Sequence, residues 1–314
     1  MLLPSCGAAT RSTFQQSDGS RPEDGRGPLA TMPAETIRLL ISCTDTRGII
    51  AAVSAFIAQH AGNIVELDQH TDDSTGWFFM RVEVEAEGFG LSRLSFGPAW
   101  SPLAARFSMD WSVRWGGDLR RVVILASREG HCLHDLLFRW KAGELACEIP
   151  LVLSNHEDLR PIAESAGVPF RCVTGPDKSE QEQTLLRLIR ESRAELIVLA
   201  RYMQVLSPAF VAAYPNGIIN IHHSFLPAFA GPRPYHQAFE RGVKLIGATS
   251  HYVTESLDQG PIIAQQTAPV GHRDNVQSLI RKGRDLERVV LARSVRLHLN
   301  DQTIVACNRT IVFD

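Results

Sequence analysis

The segment GIINIHHSFLPAFAGPRPYHQAFERG, residues 217–242, decides how the rest of the chain is read. An apolar β-branched run, Ile218-Ile219, delivers Asn220, His222 and His223 and then breaks at Pro227. Such a run marks a buried strand. Open α/β sheets place their chemistry where a buried strand ends in titratable side chains before a Pro/Gly loop. Local hydrogen bonds at a strand end would satisfy the same imidazoles, and position in a fold does not assign an activity.

Working outward, short apolar strands alternate with amphipathic helices. RRVVILAS, CEIPLVLSN, PFRCV and AELIVLA read as strands, separated by HCLHDLLFRWKAG, DLRPIAESAG and KSEQEQTLLRLIRES as helices. SPAFVAAYP is a further helix before the GIINIHH strand. KLIGATSHYV and PIIAQQTAPV add two strands, NVQSLIRKGRDLERVVLARSVRLHL a long amphipathic helix, and TIVACNRTIVF a terminal hairpin. Strict alternation predicts a Rossmann-like, mostly parallel sheet covered on both faces over residues 119–314.

Upstream the pattern differs. TIRLLISC reads as a strand, and Ile49, Val53, Phe56 and Ile57 have helical spacing that stops at Gly62. NIVELDQHTDDSTGWFFMRVEVE reads as two strands around the turn at Asp72-Asp73-Ser74. Gly97, Pro98 and Pro102 predict only a short helix near LAARF, and MDWSVRW closes the unit. The order βαββαβ over residues 35–115 gives a small ferredoxin-like antiparallel sheet, with WGGD as the linker.

Length allows two domains, and 44% hydrophobic with 21% charged residues is ordinary for a globular chain. A net charge of -2 without a basic block points away from nucleic-acid and membrane partners, and no apolar run approaches the ~20 residues a bilayer requires. Six cysteines without CxxC spacing read as reduced thiols of a cytoplasmic protein. Residues 1–34, rich in Ser, Gly, Pro and charge, predict a disordered extension. Met32, just before the first strand, offers an alternative translation start.

Asn220, His222 and Asp258 form the candidate catalytic set. Asp258 lies before Gly260-Pro261 in a loop between two predicted strands, which a parallel sheet could bring over the end of the strand carrying Asn220 and His222. An amide can donate to a carbonyl oxygen gaining charge, an imidazole can shuttle a proton, and a carboxylate can orient that imidazole. No Ser or Cys nucleophile motif accompanies them, so the attacking group is water or an external amine. His222, His223, His251 and Asp258 lack HExxH spacing and a Cys partner, so no metal is expected. His131, His134 and His236 are read as lining the mouth of the cleft.

NIHHSFLPAF followed by ATSHYVTESLDQGPII resembles the active-site signature of the 10-formyltetrahydrofolate-dependent hydrolases and transferases. The first unit, with CTDTRGIIAAVS and GNIVELDQH, resembles an ACT domain. The two together resemble the architecture of the formyltetrahydrofolate deformylase family. The resemblance implies that Asn220, His222 and Asp258 are catalytic. It places His251 in the substrate site, and Met203, Gln204, Val205 and Leu206 around the pterin ring, backbone groups near Gln204 and Leu206 bonding it. Those apolar side chains would otherwise read as core. No cofactor is implied beyond the folate substrate.

Transferases of this group carry a glycine-rich phosphate-binding turn after the first strand. Here that turn is ASREGHCLHDLL, with Gly130 alone between bulky Arg128, Glu129 and His131, which favours water as acceptor. The ACT resemblance implies an amino-acid effector near Asp45, Gly48 and Asn63 at a subunit interface, hence a homo-oligomer. Asp45 as a helix N-cap and Gly48 as a turn residue would need no ligand. The expected activity is hydrolysis of 10-formyltetrahydrofolate to tetrahydrofolate and formate, serving purine synthesis and the folate pool. Alternatives are formyl transfer to an unidentified amine and a non-catalytic amino-acid or folate sensor.

Overall fold

The computed structural model describes residues 35–228 and 233–314; the expected extension, with Met32 and Cys6, lies outside the described residues. β1 (Thr36–Thr44), α1 (Ile49–Gln59), β2 (Ile64–Asp72), β3 (Trp77–Glu85), α2 (Arg93–Arg106) and β4 (Asp110–Trp115) form an antiparallel sheet of order β2-β3-β1-β4 with two helices. Period-2 burial along β1 sends Ile37, Leu39, Ile41 and Cys43 inward, where they meet Val53 and Ile57 of α1 and Trp100 of α2. The short helix expected near LAARF is corrected: α2 runs 14 residues through Pro98 and Pro102. A Ser92/Ser95 capping box starts it, and buried Phe96, Trp100 and Ala104, four apart, anchor one face and offset the backbone hydrogen bonds the prolines remove.

The chain continues through β5 (Arg120–Ala126), α3 (His131–Lys141), β6 (Cys147–Ser154), α4 (Arg160–Ser165), β7 (Phe170–Cys172), α5 (Lys178–Glu191), β8 (Leu196–Ala200), α6 (Pro208–Ala212) and β9 (Ile218–His222). Next come α7 (Pro234–Glu240), β10 (Leu245–Tyr252), β11 (Ile262–Pro269), α8 (Val276–Leu299) and the hairpin β12 (Thr303–Ala306) and β13 (Arg309–Val312). The large sheet has the order β11-β10-β9-β8-β5-β6-β7. β7, β6, β5, β8 and β9 are parallel. The chain moves outward from β5 to β7 and then returns to the opposite side at β8. A crevice therefore opens beyond the carboxyl ends of β5 and β8, where the connections diverge.

Two expectations change here. β10 pairs antiparallel with β9, so the Asp258 loop reaches the strand through an antiparallel and not a parallel register. The Pro/Gly segment after β9 holds a helix, α7, whose Pro234 occupies its first turn, where a missing N–H costs nothing.

The small sheet grips the C-terminus of α8. Arg38 of β1 donates to Leu299 O at 3.2 Å and pairs with Asp301 at 3.3 Å. Arg81 of β3, itself paired with Glu66 and Glu83, reaches Asn300 O at 3.4 Å. Arg120 of β5 donates to His298 O at 2.9 Å and to Asp301. Cations on the free carbonyls of a helix C-terminus are favoured by the helix dipole.

Candidate active site

Alternation along β9 separates two jobs. Ile219 and Ile221 enter the core beneath α8, whereas Asn220 and His222 face a cavity of about 620 Å³ at the carboxyl end of the sheet. In the β9–β10 register His251 stands opposite Asn220, and Thr249 opposite His222. His251 Nδ1 donates to Tyr252 O at 2.8 Å, so its Nε2 is free to accept from Asn220 Nδ2 at 3.3 Å. That leaves the second amide hydrogen of Asn220 for a ligand.

Asp258 arrives from the β10–β11 loop with a left-handed backbone, φ 55°. Gly260 lets that loop close, since a Cβ there would run into the Tyr252 carbonyl. Asp258 Oδ2 lies 3.2 Å from His222 Nδ1, and Oδ1 lies 3.7 Å from His251 Nε2. His222 first, and then the neighbouring His251, hold the Asp258 carboxyl well below the usual carboxylate range, against the effect of burial. With Nδ1 turned to Asp258, His222 Nε2 is buried in the cavity wall and has no hydrogen-bond partner among the described residues. An unpartnered buried imidazole nitrogen is costly unless something else uses it.

The opposite wall is the loop after β8. Met203 and Val205 are 61% and 54% exposed, so neither is core, and with Gln204 and Leu206 they line the cavity. Met203 N donates to Ser127 Oγ at 3.0 Å, and Ser207 N donates to Glu182 Oε1 at 2.9 Å, pinning the loop at both ends. Val253 and Leu257 continue the apolar surface.

A second polar cluster lines the same cavity. Glu287, 1% exposed on α8, accepts from His131 Nε2 at 2.8 Å and from Tyr235 Oη at 2.7 Å, and lies 3.4 Å from Arg201 Nε. Burial would raise its carboxyl, but His131, Arg201 and Tyr235 together hold it below the usual value. Tyr235 packs on Gly283, where a Cβ would collide with its ring. His223, next to His222, is pushed down to about 4 by burial and then by the Arg201 and His222 charges. Sequence reasoning passed over Glu287, Tyr235 and Arg201. The available signal was a lone acid on the apolar stripe Leu279, Gly283, Leu286, Val290 and Ser294 of α8.

Other candidates sort differently. His131 and His236 line the cavity, but exposed His134 does not, because it points off the outer face of α3. Glu129 lines the cavity and pairs with Arg284 at 2.8 Å. Gly130 is small because Leu159 and Ile162 press on it. His131, Cys132 and Glu287 offer metal-ligand atoms within 4.8 Å, but burial raises the Cys132 thiol well above its ordinary value and the carboxylate is already bonded. Asp45 and Asn63 are exposed. The N-cap of α1 is Gly48, at φ 93°, and not Asp45.

Comparison with known proteins now adds to this geometry. The formyl transferase family model matches residues 120–295 and the ACT domain model residues 37–88. A formyltetrahydrofolate deformylase of Synechocystis sp. is 53% identical over 280 residues, 88% of this chain and 98% of its own. The chain belongs to the formyltetrahydrofolate deformylase family. The deformylase of Bacillus subtilis is 50% identical over 88% of this chain and 93% of its own. The crystal structure of the Pseudomonas syringae pv. tomato deformylase superposes with a TM-score of 0.89 at 49% identity, over 91% of this chain and 97% of that one. A glycinamide ribonucleotide transformylase 1 from Symbiobacterium toebii aligns with 64% of this chain and 97% of its own at 30% identity, TM-score 0.61. The deformylase family thus combines an ACT domain with a formyltransferase-type α/β domain whose sheet is largely parallel. No helix among the described residues is long and apolar enough to cross a membrane.

Proposed function

We propose that the protein hydrolyses 10-formyltetrahydrofolate to tetrahydrofolate and formate, with Asn220, His222 and Asp258 as its catalytic residues. One observation carries the residue assignment: His222 turns Nδ1 to Asp258 and leaves Nε2 buried and unpartnered at the cavity. Water gives a proton to that nitrogen as it attacks the formyl carbon. Asn220 donates its free amide hydrogen to the developing oxyanion, and the imidazolium is stabilised by Asp258. The carbon–N10 bond then breaks, N10 takes the proton from His222, and formic acid ionises to formate. Met203, Gln204, Val205 and Leu206 flank the pterin and His251 steadies Asn220. No metal or cofactor is needed.

Bulky Glu129, held by Arg284 in the turn that transferases use for phosphate, favours water as the acceptor. We further propose that formate release serves purine synthesis and the balance of folate one-carbon units, and that the protein works in the cytoplasm as a homo-oligomer. Free, exposed Cys307 suits a reducing compartment, and β2 is a sheet edge carrying exposed Val65, a surface that can pair across subunits. An amino acid bound near Asp45, Gly48 and Asn63 would regulate it. The test is incubation of purified protein with 10-formyltetrahydrofolate and no acceptor. Stoichiometric formate and tetrahydrofolate are expected. A labelled formyl group that stays on the folate, or that leaves it only in a parallel incubation with an added amine, overturns the reading.

A further inference from the structure

The cavity contains a cation that the hydrolytic steps do not use. Arg201 follows β8 directly and adopts a left-handed backbone, φ 62°. In the parallel β8–β9 register Leu199 stands beside Asn220, so Arg201, two residues on, comes level with His222. Its guanidinium reaches Glu287 on the cavity wall, and its charge acts on His223, the neighbour of His222. Its side chain is 14% exposed and lines the cavity.

Glu287 compensates this charge without occupying its fork. Its Oε1 is taken by Tyr235 and its Oε2 by His131, and the nearest approach of Arg201 is Nε to Oε2, at 3.4 Å and without a hydrogen bond. The two terminal guanidinium nitrogens make no hydrogen bond among the described residues. The other arginines of the cavity are placed differently: Arg284 is paired with Glu129, and Arg233 is exposed.

We infer that Arg201 is the binding site for a small planar carboxylate beside His222, and that its ligand is the formate product. This rests on the hydrolytic reading of the same cavity. Cleavage of the formyl carbon–N10 bond turns a neutral amide into an anion one carbon long. A new anion inside a mostly apolar cavity is expensive unless a cation meets it. The guanidinium fork matches the two oxygens of a carboxylate. Glu287 acts as a positioning residue, tethering the guanidinium by one edge and keeping the other open. The glutamate carboxylates of the folate have the same chemistry, but the level of Arg201 with His222 favours the product.

Binding of isotopically labelled formate to the full-length protein, followed by the line width of its carbon resonance, tests this without turnover. Saturable binding is expected in the wild type and should persist under saturating tetrahydrofolate. Arg201→Gln should weaken it by about tenfold or more, as loss of a charge-assisted bidentate pair implies. Arg201→Lys should retain part of it, and Glu287→Gln should tighten it by removing the competing negative charge. Opposite signs at 201 and 287 separate a charge effect from a general loss of structure. No formate binding in the wild type, unchanged binding in Arg201→Gln, or displacement of formate by tetrahydrofolate overturns the inference. Formate release from 10-formyltetrahydrofolate by the same wild-type sample is read separately, so failure of hydrolysis and failure of the subsite are told apart.

Discussion

The first strand of the small sheet and the ninth strand of the chain end alike, in polar residues beside a turn, yet the outcomes differ. After β1, Asp45 is exposed, its backbone N–H bonds Gly76 O, and Gly48 merely turns the chain into α1. At the end of β9, Asn220, His222, His251 and Asp258 come together at 3.2–3.7 Å and leave one buried nitrogen without a partner among the described residues. The difference is what surrounds the strand end. Both strands are central in their sheets, but at the end of β9 the strand β10 and the loop after it bring His251 and Asp258 across, while the polar turn after β1 opens to solvent. Convergence from several elements, and not polarity at a strand end, marks the candidate site.

Substitution at the two strand ends sharpens this contrast most. His222→Ala, Asn220→Ala and Asp258→Asn should each lower turnover by about 100- to 1000-fold, the usual cost of removing an oxyanion donor or its support. Formate release by single turnover reads this directly. Near-normal release by His222→Ala would erase the distinction.

An intermediate effect concerns pH. His298, on α8 and bonded to Tyr252 Oη at 2.8 Å, is pushed down to about 3 by burial and by the Arg120 and Arg114 charges. The unfolded chain protonates such a histidine near 6.5, but the folded chain keeps it neutral. Its stabilising contribution is therefore complete above pH 6.5 and is lost as pH falls toward 3; His223 behaves likewise down to about 4. Each should cost up to about 1.4 kcal/mol per pH unit across that window. Urea unfolding between pH 8 and pH 5 should show the fall, and His298→Gln should flatten it.

The smallest effect is expected at the other strand end. Asp45→Ala should alter stability by no more than about 0.5 kcal/mol and leave basal turnover unchanged. Its consequence should appear only in the response to an added amino acid, measured as rate against effector concentration. A large basal loss would make the two strand ends equivalent after all.

The alternation of elements and the strand carrying Asn220 and His222 were legible because both are written in short-range patterns: period-2 burial, helical spacing and turn residues. Asp258 was legible through its turn chemistry. The direction of β10 was not, since no local pattern distinguishes a strand that runs parallel to β9 from one that runs against it. Glu287 was hidden for a related reason. A single acid on a helix looks solvated until its partners are known, and those are Tyr235, His131 and Arg201, all far away in sequence. The length of α2 escaped because Trp100 and Phe96 pack edge-on or tilted against Trp111 and Phe56, tertiary contacts that overrule two prolines.

The arginine grip on α8 means that the formyltransferase-type half is not a detachable part. Cutting the chain between β4 and β5 would strip Arg38 and Arg81 from the last turn of the helix that carries Glu287 to the cavity. Whatever bends the small sheet pulls on that same rod.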